Sequence, residues 1–292
     1  MQDSNVLPVN KVGIIGATSL VGDCLVKQLV QSGIRVAAYS RRDRLSNVDG
    51  VDWHRLDAAA ALDDKSIKYW VSLAPITALP SCFSLLEAQG VRRVVVLSST
   101  SRFTKVDSSN AEEKAYALRF AESEALFQSW AENLGIEWVI LRPTLIYGLK
   151  RDTNVGEIAR FIRRFGFFPL LGQASGLRQP IHAQDVAGAC LAALQAPSAA
   201  NRSYNISGAE TLTYRAMVSR IFLAMHRQPR VFSIPLWLFQ MAVAVLRLLP
   251  RYRLWTAAMA ERMNQDLVFD HSDAARDFGF QSREFKLSSD DI

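Results

Sequence analysis

Lys11-Val12-Gly13-Ile14-Ile15-Gly16-Ala17-Thr18-Ser19-Leu20-Val21-Gly22 is the stretch whose reading decides the fold. It opens with a short apolar run and passes through a Gly/Ala/Thr/Ser turn. Beyond the turn, Leu20, Val21, Cys24, Leu25 and Leu29 recur at helical spacing as far as Val30. The order is strand, loop, helix. At such a junction the main-chain N–H groups and the positive helix end converge on one point, which suits a pyrophosphate. The alternative is a purely structural turn.

Working outward, Gly33 is placed to end the helix, Ile34 to Tyr39 reads as a second strand, and apolar runs at Tyr69 to Leu73 and Val94 to Leu97 alternate with helical stretches. Strands that alternate with helices predict a parallel sheet. The unbroken run Val94-Val95-Val96-Leu97 fits a strand covered on both faces, since a half-exposed strand would alternate with polar residues. Ser109-x-x-Glu112 reads as a capping box that opens a long amphipathic helix, which Gly135 ends before a strand at Ile136 to Leu141. After Tyr147 the alternation weakens. The expected fold class is α/β: a Rossmann-type doubly wound parallel sheet over residues 1–150, with a strand returning from about 178–208, and a smaller substrate-facing α/β lobe over 151–292. No repeat or low-complexity tract argues for another architecture.

Composition sets the outer bounds. The 292 residues are 49% hydrophobic and 21% charged, which is ordinary for a folded globular domain and excludes disorder as the default. Cys24, Cys82 and Cys190 are three and widely spaced, so neither a disulfide framework nor a Cys-x-x-Cys metal site is expected, and a reducing cytoplasm fits. Met1 to Asn5 lacks the basic-then-apolar order of a secretory signal. The net charge of +6 is compatible with an anionic partner, but no nucleic-acid-binding signature accompanies the arginines at 160–164 and 247–253, and no nucleic acid is expected.

On the loop Gly16 to Gly22 the chain resembles the short-chain dehydrogenase/reductase superfamily, especially its extended and atypical branch, the NAD(P)-dependent epimerase/dehydratase family, whose loop reads Gly-x-x-Gly-x-x-Gly. Gly16 and Gly22 match; Ser19 replaces the middle glycine. Either the Ser19 hydroxyl adds a hydrogen bond or affinity for the cofactor falls. The resemblance places Thr18, Ser19, Leu20 and Val21 beside the diphosphate. At the end of the second strand, Ser40-Arg41-Arg42 offers guanidinium groups where an acid would accept from a ribose hydroxyl, so NADP(H) is preferred and NAD(H) is the alternative. Two solvated arginines are the competing reading. Leu56-Asp57 looks like the adenine contact, with a helix cap as the other role for Asp57. Leu73, Ala74 and Pro75 look like the fourth-strand cofactor edge. Leu141-Arg142-Pro143-Thr144-Leu145-Ile146-Tyr147-Gly148 is similar to the motif that passes beside the nicotinamide, which brings in Pro143 and Leu145.

The same resemblance implies a Ser or Thr hydroxyl after the fifth strand, here Ser99 or Thr100, and a Tyr-x-x-x-Lys pair on the next helix. Tyr116 stands at the tyrosine position, but Phe120 occupies the place of the lysine. An unassisted phenol has a pKa of about 10, so roughly one in a thousand is ionised at pH 7. Arg119, at i+3, is a possible substitute for the missing charge. Gln179 to Ala187 resembles the later segment that returns to the sheet, with Asp185 at the start of its helix. In that segment His182 is expected to be structural, and Arg178 is a candidate contact for an anionic substrate, a surface salt bridge being the other reading.

Ile234 to Leu249 is strongly apolar but only sixteen residues long and interrupted by Pro235, Gln240 and Arg247, so a spanning helix is not expected. Core packing and contact with the inner face of a membrane both stay open. Three functions follow from these readings. The first is an NADP(H)-dependent oxidoreductase or epimerase acting on a nucleotide-sugar or other carbonyl or alcohol small molecule. The second is a non-catalytic dinucleotide-binding protein like the complex I accessory subunits of this branch, and the third is a membrane-associated assembly protein. No metal and no particular oligomeric state is implied.

Overall fold

Lys11–Ile15 forms β1, buried from Val12 onward, and it lies between two other parallel strands because neither of its faces carries a polar side chain to present to water. The computed structural model describes residues 7, 9–41, 48–56, 67–235, 237 and 262–292. The helix α1 (Leu20–Gln31) follows β1, and then come β2 (Arg35–Ser40), β3 (Val51–Arg55) and β4 (Tyr69–Ser72). A 3-10 segment at Ile76–Cys82 and α2 (Phe83–Ala88) lead into β5 (Arg93–Leu97). Next are α3 (Ser101–Thr104), α4 (Ala111–Asn133), β6 (Glu137–Pro143) and β7 (Ile146–Tyr147). The chain continues through α5 (Val155–Phe165), β8 (Phe168–Leu171), β9 (Leu177–Arg178), β10 (Ile181–His182) and α6 (Ala183–Gln195). It then runs through β11 (Arg202–Ile206), β12 (Leu212–Thr213), α7 (Tyr214–Ala224), β13 (Val231–Ile234) and a short helix at Ser272–Phe278.

Seven of these strands make one parallel sheet in the order β11-β6-β5-β4-β1-β2-β3. The chain reverses its winding direction between β1 and β4, and in such a sheet the crevice beyond the carboxyl ends at that point is where ligands bind. The doubly wound α/β reading therefore holds. Two hydrophobic cores cover the faces, one uniting β1 with α1 and α6, the other joining Trp70, Phe120, Phe127 and Trp138 under α4. Helices α1 and α6 pack closely because Ala187, Ala189 and Ala193 are small, and Gln28 donates to the Gln184 carbonyl at 2.9 Å across that contact. A third core holds Tyr147, Ile158, Ile162, Phe168, Met217, Val218 and Phe222 between α5, β8 and α7, outside the main sheet.

Gly33 and Gly135 take positive φ, +72° and +65°, directly after their helices, as read from the sequence. One cap is corrected. The N-cap of α4 is Asn110, whose side chain accepts from the Glu112 amide at 2.8 Å, and the residue paired across the turn is Ser108, whose hydroxyl donates to Glu113 at 2.7 Å. Ser109 therefore does not hold the capping position, because the helix begins one residue later and an Asn side chain reaches the same orphan amide. Of the apolar run Ile234 to Leu249, only Ile234, Pro235 and Trp237 lie among the described residues; no helix among those residues is long and apolar enough to cross a membrane.

His182 takes the structural role expected of it. Its Nδ1 accepts from the Gln184 amide at 3.1 Å and caps α6, which leaves Nε2 to carry the proton and donate to Asp291 at 3.0 Å. Burial alone would raise the Asp291 carboxyl. The hydrogen bonds from His182, from the Ser288 amide and hydroxyl and from the Leu149 amide outweigh it and hold the group well below the usual carboxylate range. A depressed native pKa stabilises the fold above the unfolded value and loses that contribution as pH falls toward the native one. Asp291→Asn is therefore expected to cost about 2 kcal/mol at pH 7, and the gap to the parent to close below about pH 4, as read by urea denaturation across pH.

Candidate cofactor and active site

The turn after β1 leaves no room for a side chain at two places. Gly16 sits at φ +82°, and a Cβ there would lie 2.7 Å from the Ala74 amide and 2.9 Å from the Leu73 carbonyl carbon. At Gly22 a Cβ would meet the Ala17 oxygen at 2.5 Å, so the first turn of α1 lies tight against the loop. Ser19, by contrast, has φ −70° and ψ 167°, an extended conformation that any residue adopts. Its hydroxyl accepts from the Gly22 amide at 3.0 Å and its carbonyl accepts from the Asp23 amide at 3.0 Å. Serine at the middle glycine position is thus the N-cap of α1, and the hydroxyl proton stays free to donate outward.

Because Gly22 and Asp23 are satisfied by Ser19, the first amides of the helix, those of Leu20 and Val21, are the ones the geometry offers to an anion, and both residues line the cavity. This cradle fits a dinucleotide diphosphate by the same test that the glycines set: added carbon would fill the place where a ligand must approach the backbone. Thr18 is exposed, and its carbonyl accepts from Arg151 at 2.9 Å, while Arg151 also pairs with Asp23 in the first turn of α1. The sequence reading missed Arg151. It sits in a turn 129 residues beyond Gly22 with no motif of its own, so only the tertiary fold brings it to the loop.

Ser40 closes β2 and is 7% exposed, and Arg41 follows it exposed at the strand tip. Arg42 and Asp57 lie outside the described residues. Leu73, Ala74 and Pro75 follow β4, next to Gly16, and with Pro143 and Leu145 they form walls of a cavity of about 1550 Å³. The cavity runs from Ser19 at the head of α1, past the tips of β4, β5 and β6, to α5 and α7.

Ser99, Thr100 and Tyr116 all reach this cavity. The Thr100 hydroxyl donates to the Pro143 carbonyl at 3.1 Å and is buried, so it fastens the tip of β5 to β6 and has only its lone pairs left for a ligand. Ser99 accepts from the Ser101 amide at 3.1 Å and keeps its own proton free, which makes it the better donor of the two. Tyr116 is 38% exposed, and its ring packs on Phe120 with centroids 4.6 Å apart. Phe120 is 6% exposed and belongs to the core under the sheet, so the ring at the lysine position is an anchor of α4 as well as a change in chemistry.

Burial pushes the Tyr116 phenol upward in pKa, and the nearby Arg119 charge opposes this without reversing it. Arg119 is exposed on the helix and does not make the phenol a base at neutral pH. A different cation lies beside the ring. Lys105, in the turn after α3, holds its Nζ 4.8 Å from the Tyr116 ring centroid, and burial lowers its pKa while Glu113 opposes that change. The sequence reading missed Lys105 because it expected the cation on the helix itself. Beneath these groups, Glu124 of α4 is buried and receives bonds from the Ser98 hydroxyl, from Arg102, and from Arg142 through Nε at 3.0 Å and Nη2 at 2.6 Å. This network ties the tips of β5 and β6 to α4 and so fixes the floor of the cavity.

Arg178 lines the cavity but is committed to the protein. One Nη donates to the Leu177 and Gln265 carbonyls, both at 2.7 Å, and the other to the Arg262 carbonyl. Burial lowers its pKa to about 10. Its role here is to hold the segment around residues 262–267 against β9, rather than to present a free fork to an anion. Among the described residues, no group of three or more His, Cys, Asp and Glu side chains is placed to hold a metal, and the three cysteines are buried thiols.

The family model described as the NAD dependent epimerase/dehydratase family matches residues 81–207, a span that starts beyond the phosphate loop and covers the Tyr116 helix, β6 and α6. UDP-glucose 4-epimerase of Vibrio cholerae is 22% identical over 261 residues, with 78% of this chain and 80% of that protein covered. A mitochondrial protein of Arabidopsis thaliana, NADH dehydrogenase (ubiquinone) 1 alpha subcomplex subunit 9, is 26% identical over 118 residues; the match spans 40% of this chain and 29% of that one. Among solved structures, MoeE5 in complex with UDP-glucuronic acid and NAD superposes with a TM-score of 0.70 at 20% identity, covering 94% of both chains. UDP-glucuronic acid 4-epimerase from Bacillus cereus in complex with NAD gives 0.70 at 15% identity over 96% of this chain and 93% of that one. The resemblance to the extended short-chain dehydrogenase/reductase branch read from the sequence holds, and the fold is that of these Rossmann-like proteins.

If Ser19 serves as a cap and not as a strained substitute for glycine, Ser19→Ala should cost about 1 kcal/mol in urea unfolding and Ser19→Gly only a few tenths. A gain in stability from Ser19→Gly of more than about 0.5 kcal/mol would mean that the serine is strained where it stands.

Proposed function

We propose that this chain, with the sheet and the likeness of an epimerase/dehydratase protein, binds NADP(H) at the head of α1 and acts as an oxidoreductase or epimerase on a nucleotide-sugar or other carbonyl or alcohol substrate. The observation that carries the reading is the continuity of one cavity from the amides of Leu20 and Val21 to the hydroxyls of Ser99 and Tyr116. A bound nicotinamide supplies the hydride chemistry. The residues of the chain do the rest. Gly16 and Gly22 let the backbone close on a diphosphate, and Arg151 fixes the loop from the side. Ser99 donates to the reacting oxygen of the substrate, and Tyr116, a phenol that burial keeps further from ionising, gives a proton to that oxygen during reduction. In this reading residues 1–150 with the return segment near 178–208 hold the cofactor, and 151–292 supply the substrate side.

The exposed guanidinium of Arg41 at the tip of β2 supports the phosphorylated cofactor over NAD(H), because a planar fork meets a 2'-phosphate with paired charge-assisted bonds. One observation favours a second reading. Phe120 is built into the core and removes the ammonium that would ionise Tyr116, which suits a protein that binds NADP(H) for stability or sensing without turnover.

Two experiments test these readings, the first the cofactor and the second the turnover that separates them. Titrating the protein with NADPH and NADH by nicotinamide fluorescence should give saturable binding, with Arg41→Glu weakening NADPH at least tenfold and NADH less than about threefold, the scale of one lost charge-assisted contact. Equal losses for the two cofactors would remove the NADP(H) preference. In an assay of NADPH oxidation with carbonyl substrates, Tyr116→Phe should lower kcat by about a hundredfold or more while leaving cofactor affinity intact. Turnover unaffected by Tyr116→Phe would contradict its role as proton donor.

A further inference from the structure

The wall of the cavity formed by α5 continues onto the outside of the protein. Phe161 and Phe165, one helical turn apart, line the cavity with their ring centroids 4.6 Å apart. From them the rings run outward: Phe167 lies 5.9 Å from Phe161 and 6.4 Å from Phe165, and Phe232 on β13 lies 5.6 Å from Phe167. The parallel pairing of β8 with β13, with Pro169 opposite Phe232, sets this register. The outer rings are not covered: Phe165 is 50%, Phe167 36% and Phe232 59% exposed. A phenylalanine left half in water forfeits about half of the stabilisation its burial would give, and three in contact form a patch that a monomeric surface seldom keeps without use.

The charge around the rings is of one sign. Arg160, Arg163 and Arg164 on α5 and Arg227 and Arg230 before β13 are all exposed, with Arg164 placed 5.2 Å from the Phe165 ring centroid and Arg227 bonded to the Ile162 carbonyl. The sequence from 155 to 171 and from 226 to 237 holds these five arginines and a single acid, Glu157, which is itself paired with Arg160.

We infer that this face, the outer end of α5 together with β8 and β13, docks on an anionic lipid bilayer, so that the cavity opens at the membrane surface. Phenylalanine rings gain by insertion at the boundary between headgroups and acyl chains, and arginines beside them meet lipid phosphates. A bilayer matches the pattern on the page because it offers apolar contact and negative charge over the whole face at once. The face shares Ile234 of β13 with the apolar run that extends to Leu249, most of which lies outside the described residues, and the inference does not depend on the cofactor reading.

The test is co-sedimentation of the full chain with vesicles of phosphatidylcholine alone and of phosphatidylcholine with phosphatidylglycerol at 0.1 M salt. The protein should pellet with the anionic vesicles only, and raising the salt to 0.5 M should release most of it. Arg163→Glu with Arg230→Glu should lower partitioning at least about thirtyfold, from the contribution of each arginine near an anionic surface, and Phe167→Ser with Phe232→Ser at least about tenfold. These side chains are exposed, and thermal melting checks that each variant remains folded. Failure of the parent to pellet with anionic vesicles would overturn the inference, as would parent-like pelleting of both folded variants. A shift from dimer to monomer on Phe167→Ser with Phe232→Ser, in a parent that ignores vesicles, would assign the face to a second copy of the chain instead.

Discussion

The rest of the structure depends on the backbone approach at Gly16. There β1 ends between the tips of β2 and β4, and the chain must turn at once into α1 with Leu73 and Ala74 pressed against it. Glycine at positive φ is the solution that L side chains do not match, and the cost of that turn is offset by the fully buried neighbours Ile14 and Ile15 and by the core beneath α1. With the turn set, the helix points its first amides at the crevice where the sheet changes direction. The Ser19 cap then decides which amides remain for a ligand.

A second constraint fixes the chemical half of the cavity. Glu124 is a buried carboxylate whose charge is met by Arg102 and Arg142 and by the Ser98 hydroxyl, so the strand tips and α4 are held to each other by an interaction that tolerates little displacement. Above it, α4 presents Tyr116 over Phe120. The phenol is thereby backed by a buried ring but not ionised, and the Lys105 ammonium reaches the face of its ring from another segment. A proton donor is well served by this environment, and a base is not.

Much of this was legible in the sequence, and the pattern of what was not has physical causes. Buried parallel strands announce themselves through runs such as Val94 to Leu97, and Gly33 and Gly135 mark helix ends because their conformation excludes other residues. Gly16 was readable for the same reason, and Gly22 because the loop leaves no room for a Cβ there. The cap at Asn110 was placed one residue early because Ser, Asn and Asp compete for such positions on nearly equal terms. Arg178 reads as a candidate anion contact because its type suits one, while two of its three carbonyl partners, those of Arg262 and Gln265, come from a remote segment. Lys105, Arg151 and the arginines around Glu124 act through long-range contacts that no local spacing encodes. The aromatic face of α5 was likewise invisible until β13 was seen to pair with β8.

The central claim is that the amides at the head of α1 receive a dinucleotide diphosphate. Amide resonances of the ¹⁵N-labelled protein, followed while NADPH is added, address it most directly. Saturable shifts are expected to be largest at Gly16, Leu20 and Val21, with Ser99 and Tyr116 following at the far end of the cavity. Saturation that leaves Gly16, Leu20 and Val21 unmoved, or no saturation at all, would contradict it.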